Sequence, residues 1–335
     1  MSQIGRSDST LIDTHAKIRI WKGMNITKVN EFILMGLSER QDLQIFLFML
    51  FLMIYLITIL GNVGIIIIVY HNSQLHTPMY FFISSLSFLD LCYSSDIAPK
   101  MIVDLLSAKR NISYIGCALQ LFFFTGLGCT ESFLFAVMAY DRYVAICNPL
   151  NYSLAMQPKT CLGLVSGAYT AGFLHSVIET CCTFSLSFCA SNILNHFACD
   201  FPPLFSISCT DTAVNELILF VFASSVTMSS ILVIFVSYLS IFLAILKIKA
   251  VTGRKKAFST CSSHITAITL FYSTVIYVYL KPTSKTSVHK ASVATVFYTV
   301  VIPMLNPMIY SLRNKDIKVS LKSMLQNTIF IKRLK

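Results

Sequence analysis

Residues Cys117–Cys147 read CALQLFFFTGLGCTESFLFAVMAYDRYVAIC, an apolar run with one carboxylate, Glu131, near its middle. As an α-helix, the stretch from Cys117 to Arg142 spans about 37 Å, which crosses a hydrocarbon core of about 30 Å with some tilt. We therefore predict a membrane-spanning helix with a cysteine at one face and Asp141-Arg142-Tyr143 at the other. The adjacent Asp141 and Arg142 predict a local ion pair for which a partner protein could compete, and an arginine that merely snorkels at a helix end is the alternative.

Composition extends this interpretation to the whole chain. Of the 335 residues, 55% are hydrophobic and 12% are charged, whereas soluble domains carry about 25% charged residues. Six runs lack Asp, Glu, Lys and Arg, each is long enough for a span, and the first is long enough for two. The runs do not alternate as barrel strands do, so we predict an all-α membrane protein, a seven-transmembrane helix bundle. The predicted helices are Leu43–Tyr70, Pro78–Val103, Cys117–Arg142, Thr160–Glu179, Glu216–Leu246, Lys256–Lys281 and Ala291–Leu312.

The placement of positive charge predicts the orientation. The net charge is +11, and basic residues cluster before helix six and after helix seven, which places these segments in the cytoplasm and the N-terminus outside. A nucleic-acid partner is not expected, because the basic residues lie at membrane edges. The cytoplasmic set is Lys247, Lys249, Arg254, Lys255, Lys256, Arg313, Lys315, Lys318 and Lys322, and the bias is opposed by Lys109, Arg110, Lys281, Lys285 and Lys290.

Three regions follow from this layout: an extracellular segment over 1–42, a seven-transmembrane helical domain over 43–312, and a cytoplasmic tail over 313–335. The first 23 residues are polar and lack the apolar core of a signal peptide, and Met24 is an alternative start. Asn25-Ile26-Thr27 is an N-x-Thr sequence, so we predict a glycan at Asn25. The tail predicts a short amphipathic C-terminal helix on the inner membrane surface, with apolar positions at Ile317, Leu321, Met324 and Leu325.

Four motifs in chain order resemble those of olfactory receptors, a family of rhodopsin-like (class A) G-protein-coupled receptors. They are LHTPMYFF at Leu75–Phe82, MAYDRYVAIC at Met138–Cys147, KAFSTCSSH at Lys256–His264 and PMLNPMIYSLRN at Pro303–Asn314. The resemblance covers about 24–325. It implies a plasma-membrane receptor, not an enzyme, which binds a small volatile apolar or weakly polar odorant within the bundle. It also implies that the partner is the olfactory-type stimulatory G protein, a heterotrimer that raises cyclic AMP.

Cysteine usage is consistent with an oxidising outer space. Cys117, Cys189, Cys199 and Cys209 lie in predicted outer segments, and four cysteines allow three pairings. The family resemblance implies Cys117–Cys199 and Cys189–Cys209. Free buried cysteines throughout are the alternative.

The ligand pocket is expected between helices three, five and six. Spacings of three and four residues place Thr125, Gly128 and Cys129 on one helix face. No acid stands among the helix-three candidates, so an amine ligand is not expected, and for any single residue plain packing is the alternative. The predicted lining is Phe124, Thr125, Gly128, Cys129, Phe222, Val226, Tyr272, Val275, Ile276 and Tyr279.

Asp90 and Glu131 are intramembrane acids and therefore functional candidates. Two such carboxylates near each other share a proton or hold a cation. The family resemblance implies that the two acids face each other below the ligand pocket, with Asn62, Asn306, Ser132 or Ser87 as neighbours. An allosteric sodium ion is one expectation for this site, and a protonated hydrogen-bonded pair is the alternative.

The resemblance implies activation by a population shift in which helix six moves outward, Arg142 is freed and a cavity opens for the G protein. Prolines in helix seven remove backbone donors and make its inner end deformable. The residues expected to couple are Asp141, Arg142, Tyr143, Tyr238, Asn306, Pro307 and Tyr310.

Transporters and intramembrane enzymes are the two alternative functional classes. A transporter commonly shows two related halves, and no half-to-half repeat is evident here. An intramembrane enzyme would need a cluster of catalytic side chains, whereas His175, His196 and His264 are scattered along the sequence.

Overall fold

The computed structural model describes residues 29–38, 40–189, 191–247, 251–279, 293–313 and 316–322, without the side chains of 251–260, 278–279 and 312–313. The predicted glycan acceptor Asn25 lies outside the described residues. Seven long helices form within the described part. They are α1 (Gln41–His71), α2 (Pro78–Leu106), α3 (Tyr114–Cys147), α4 (Pro158–Phe184), α5 (Ala213–Lys247), α6 (Val251–Tyr279) and α7 (293–313, with a π-helical segment at Phe297–Val301).

Five of the described helices are long and apolar enough to cross a membrane: α1, α3, α4, α5 and, within α7, Val293–Ser311. Helices α2 and α6 are not among the five, and both carry charged residues and several serines. Most predicted boundaries differ from the observed ones by a few residues. Helix α3 extends beyond the predicted bounds at both ends. At its start, Ser113 caps the helix by accepting a hydrogen bond from the Gly116 N–H at 3.0 Å.

Helix α7 is joined to α1 through the Gly61-Asn62 pair. Pro307 has no N–H, so the carbonyl of Pro303 one turn earlier loses its helical partner. The Asn62 side-chain amide donates to that carbonyl at 3.0 Å. A Cβ at Gly61 would lie 3.0 Å from the Pro307 ring, so glycine permits the close approach of the two helices. The Asn62 NH2 group therefore donates to α7 and to Thr58 of its own helix rather than to the two intramembrane acids, while Oδ1 of Asn62 has no partner among the described residues.

Helices α3 and α4 are in close contact at Gly172. A Cβ at this position would overlap the Thr130 hydroxyl and would lie 2.7 Å from the Gly126 carbonyl oxygen. A Cβ at Gly167, on the same helix, meets nothing within 4 Å. The contact with backbone atoms cannot be relieved by a rotamer change, because the obstacle is the main chain of α3.

We predict that Gly172→Val prevents folding, since the two helices would have to separate, while Gly167→Val is tolerated. Overpacking of a well-packed interior typically costs about 1–3 kcal/mol, and more where backbone must move. Surface immunostaining of intact cells measures the outcome. Equal surface levels for the two variants would contradict this packing.

A small sheet covers the end of the bundle that carries the disulfides, here called the disulfide end. Strand β1 (Glu31–Leu34) lies between β2 (Asn111–Ser113), which is antiparallel to it, and β3 (Ile193–Leu194), which is parallel. Phe32 and Leu34 are buried, in keeping with the alternation of a half-buried strand. The sequence does not predict these strands, so the sheet is new information from the structure.

The tail helix, α8 (316–322), packs against the opposite end, here called the Arg142 end. Ile317 is buried, Tyr80 donates to Asp316 at 3.0 Å, and the Asn72 amide donates to Ser320 at 2.6 Å. The predicted C-terminal helix is therefore present. Met324 and Leu325 lie outside the described residues.

Candidate functional site

An aromatic cluster forms the upper part of the site, toward the disulfide end. Phe124 of α3 stacks on Tyr93 of α2, with ring centroids 5.7 Å apart, and lies 5.8 Å from Tyr298 of α7. Thr125 follows on the same helix, and its buried hydroxyl has no hydrogen-bond partner among the described residues. The cluster therefore combines an apolar wall with an unused polar atom, as binding sites for small molecules do.

Tyr272 of α6 links three helices one level below this cluster. Its hydroxyl donates to Ser230 of α5 at 2.7 Å and lies 3.4 Å from the Ser132 carbonyl oxygen of α3. Phe271 packs on Tyr272 and on Phe135 of α3. A displacement of the Tyr272 ring would thus be transmitted to α3 and α5 together.

Asp90 and Glu131 are both fully buried in the middle of the bundle. The Asn306 amide of α7 donates to both carboxylate oxygens of Asp90, at 3.0 and 3.2 Å. Asn306 also lies near Glu131. Within the described ranges, however, both carboxylate oxygens of Glu131 and the side-chain carbonyl oxygen of Asn306 lack a hydrogen-bond partner. Unused acceptors on buried groups are the chemistry that suits a small cation. Across the described residues no group of three or more His, Cys, Asp or Glu side chains could hold a metal ion.

The expected ion pair between Asp141 and Arg142 is wrong. Asp141 accepts a hydrogen bond from the Tyr152 hydroxyl at 2.9 Å, and no ion pair joins it to Arg142 in the described part of the chain. Neighbouring residues on a helix point about 100° apart, so adjacency does not favour a contact. Arg142 turns inward, where Nη1 lies 3.7 Å from the Met79 sulfur and Nε has no described partner.

Three further polar side chains lie around Arg142. The Tyr238 hydroxyl of α5 and Nδ1 of His264 in α6 are 2.7 Å apart. The Tyr310 hydroxyl of α7 is buried and has no described partner. Tyr238, His264 and Tyr310 are all within electrostatic range of Arg142. Helices α3, α5, α6 and α7 therefore meet at one buried cation.

Comparison with known proteins identifies the family of the chain. Residues 51–328 match the family described as "Olfactory receptor". The chain belongs to the olfactory receptor family. Olfactory receptor 5AR1 of Mus musculus is 52% identical over 301 residues, which are 90% of this chain and 97% of that protein. Olfactory receptor 5AR1 of Homo sapiens is 50% identical over 301 residues, again 90% and 97%. Olfactory receptor 5D18 of Homo sapiens is 52% identical over 304 residues, covering 91% and 97%.

Family membership confirms the predicted fold class, a membrane-spanning seven-helix bundle, and the family consists of receptors rather than enzymes. In this olfactory receptor the disulfides join Cys117 to Cys199 and Cys189 to Cys209, the pairings that the resemblance implies. Cys117 and Cys199 are buried, and the backbone N–H of Cys199 donates to the Gln120 side chain at 2.9 Å. The long loop is therefore held on α3 both covalently and by hydrogen bonding.

The loop of the receptor buries two titratable groups of its own. Nδ1 of His196 lies 3.0 Å from the Ala198 carbonyl oxygen, and Asp200 caps the short helix Phe201–Ser206 by accepting from the Phe201 N–H at 2.8 Å. Burial lowers the pKa of His196, against the opposing charge of Asp200. Burial likewise raises the pKa of Asp200, against the effects of His196 and the Phe201 N–H. As pH falls below the ordinary pKa of histidine, the unfolded loop takes up a proton at His196 before the folded loop does, so His196 weakens the folded loop, whereas the raised pKa of Asp200 acts in the opposite direction.

The remaining predicted pocket residues of the receptor differ in burial and in their contacts. A Cβ at Gly128 would lie 3.4 Å from the Tyr93 hydroxyl oxygen, Cys129 and Phe222 are half-buried, and Val275 packs against the core. Val226 is half-buried, and its carbonyl accepts from Ser230 at 2.7 Å. Ile276 is 41% exposed, which does not suit a residue lining a closed cavity, and the side chain of Tyr279 lies outside the description.

Sequence reasoning missed four residues of this site. Ser230 continues the four-residue spacing of Phe222 and Val226, so extending that series by one turn would have found it. His264 stands at the end of a quoted motif but received no role. Tyr152 lies beyond the end of α3, and no periodicity connects it to Asp141. Met79 lies inside the first of the four motifs, LHTPMYFF, and likewise gave no signal of its contact with Arg142.

Proposed function

We propose that this protein is an odorant receptor of the plasma membrane, whose ligand binds between α3, α5 and α6 and whose response is activation of a stimulatory, olfactory-type G protein. The observation that carries the proposal is that α3 bears Phe124 of the aromatic cluster, the buried acid Glu131 and the buried Arg142 in succession. Family membership supports the receptor role. The buried aromatic cluster supports an apolar or weakly polar ligand small enough to lie between the helices.

The proposed mechanism is a shift between two arrangements of α6. Ligand contacting Tyr272 changes its hydrogen bond to Ser230 and its contact with α3. An outward movement of α6 separates Tyr238 from His264, so that Tyr238 and Tyr310 can approach Arg142. The ligand can shift this equilibrium only by its difference in affinity for the two states.

The proposed topology has the N-terminus and the disulfide end outside and the tail helix inside. It rests on the basic residues that flank α6 and follow α7. Extracellular disulfides and a glycan at Asn25 fit this orientation. Membrane lipid surrounds the bundle, and α5 presents exposed apolar side chains to it, among them Leu232, Phe235 and Phe242.

A sodium ion held by Asp90, Glu131 and Asn306 is proposed as an allosteric ligand. The unpaired oxygens of Glu131 and Asn306 support a cation over a fully hydrogen-bonded pair. When bound, the ion supplies positive charge that balances buried carboxylates and favours the closed bundle.

We predict that replacing sodium with a large organic cation raises basal cyclic AMP in cells expressing the wild type. Glu131→Gln should weaken this response to less than half, because the amide removes one charge from the site, while odorant responses persist. Basal cyclic AMP that is insensitive to the ion exchange would contradict the sodium proposal and leave the protonated pair.

A screen tests the proposed function. Cells expressing the receptor at the surface, together with the olfactory stimulatory G protein, are exposed to a panel of volatile compounds and cyclic AMP is recorded. We expect at least one compound to raise cyclic AMP in a saturable manner. Uptake of a compound without any cyclic AMP response would favour a transporter instead.

A further inference from the structure

Helix α4 carries a buried acid–histidine pair that the proposed mechanism does not use. Nε2 of His175 lies 3.1 Å from Oε2 of Glu179, one turn along the helix. The two residues are 7% and 3% exposed, respectively. An intramembrane acid in such a position is a functional candidate.

The pair leaves one polar atom unused. Oε1 of Glu179 is buried and has no hydrogen-bond partner among the described residues. If the His175 Nε2–H donates to Oε2, Oε1 is left as a free acceptor. A buried acceptor without a partner is unfavourable, so native structures rarely retain one unless a water, ion or ligand completes it.

The surroundings of the pair are those of the predicted pocket. The ring of His175 packs on Phe222 of α5, with centroids 5.5 Å apart. Glu179 is within electrostatic range of Cys129 of α3. Thr125, one turn from Cys129 on the same face, contributes a second buried polar atom, its hydroxyl oxygen, without a partner in the described part of the chain.

We propose that Glu179 is the polar anchor of the ligand pocket and that the ligand class is small apolar molecules carrying one hydroxyl group. The ligand O–H donates to Oε1 of Glu179, and its oxygen accepts from the Thr125 hydroxyl. His175 is a positioning residue that fixes the Glu179 carboxylate. This assignment rests on the proposed odorant-receptor function and narrows its ligand from apolar or weakly polar molecules to alcohols and phenols.

The sequence shows no acid among the helix-three pocket candidates, and this observation does not extend to α4, where Glu179 follows a charge-free run. A metal site is not supported at the pair, since no described group of three such side chains could hold a metal ion.

The test uses matched compounds in which an alkanol, its methyl ether and the corresponding alkane share a carbon skeleton, over several chain lengths. Cyclic AMP dose–response curves are measured for wild type, Glu179→Leu and the control Glu216→Leu. Glu216 is an exposed acid of α5 whose carboxylate accepts from Thr212 at 2.7 Å. The wild type and the control should respond to alkanols at concentrations at least about tenfold below those for the ethers, as a hydrogen bond to a charged group supports.

In Glu179→Leu the preference for alkanols should fall to within about threefold, while the ether response remains. If the single variant does not reach the surface because His175 is left unpaired, the double variant His175→Leu with Glu179→Leu is tested in its place, since it removes both buried polar groups. A wild type that responds equally to alkanols and ethers, or an undiminished alkanol preference in these variants, overturns the anchor while leaving the receptor function intact. Silence of surface-expressed wild type toward every compound overturns both.

Discussion

Arg142→Ala should abolish odorant-evoked cyclic AMP, with the response falling to the level of untransfected cells. Arg142 is the buried cation at which α3, α5, α6 and α7 meet, and its Nε has no described partner. Because Asp141 is bonded to Tyr152 rather than to Arg142, removing the guanidinium breaks no ion pair within the described residues. The fold should therefore tolerate the change better than the signalling does.

Dose–response curves and surface immunostaining measure both effects. Lys159→Ala is the matched control, since Lys159 is an exposed cation of α4 at the same end of the bundle. The control should keep both surface level and response. A normal response from Arg142→Ala at equal surface level would show that the arginine does not couple the two ends.

Loss of the Cys117–Cys199 disulfide should prevent surface delivery almost completely. The bond closes 82 residues of chain, and a crosslink of that span restricts the unfolded state by roughly 4 kcal/mol in the chain-entropy view. Cys117 and Cys199 are also buried, so a substitution there disturbs the packing between the loop and α3. A loss of that size is comparable to the whole stability of many domains.

Cys117→Ala and Cys199→Ala should give the same loss, and the double variant should be no worse than either, because each single change already removes the bond. Cys181→Ala is the control, since Cys181 is an exposed free thiol. Surface immunostaining and peptide mapping without reduction measure the outcome. Functional receptor that carries both cysteines as free thiols would refute the pairing.

The helices could be predicted from the sequence because charge-free apolar runs have few other solutions in a membrane. The sheet could not, because β1 is four residues long and pairs with Ile193–Leu194, far along the chain. Strand pairing over such a separation leaves no local periodicity. A four-residue alternation is too short to distinguish from the ordinary polar sequence before a first span.

At the site, spacing on one helix predicted that Thr125, Gly128 and Cys129 share a face, but only the structure shows the contacts between helices. The predicted ion pair between Asp141 and Arg142 is wrong because adjacent residues on a helix point about 100° apart. Conversely, the Asn62 contact with Pro303 follows from the missing N–H of Pro307, yet only the structure shows which helix supplies the donor. The four-residue spacing of His175 and Glu179 predicts that the two side chains share a helix face. Only the structure shows that this face lies against Phe222 of α5.

A ligand bound between α3, α5 and α6 is proposed to activate a stimulatory G protein at the Arg142 end. The most direct measurement is the rate of guanine-nucleotide exchange by purified olfactory stimulatory G protein, mixed with the receptor in lipid nanodiscs, with and without an odorant identified in the screen. We predict that the odorant accelerates exchange several-fold on wild-type receptor and has no effect on Arg142→Ala. An exchange rate on wild-type receptor that is unchanged by odorant would contradict the claim.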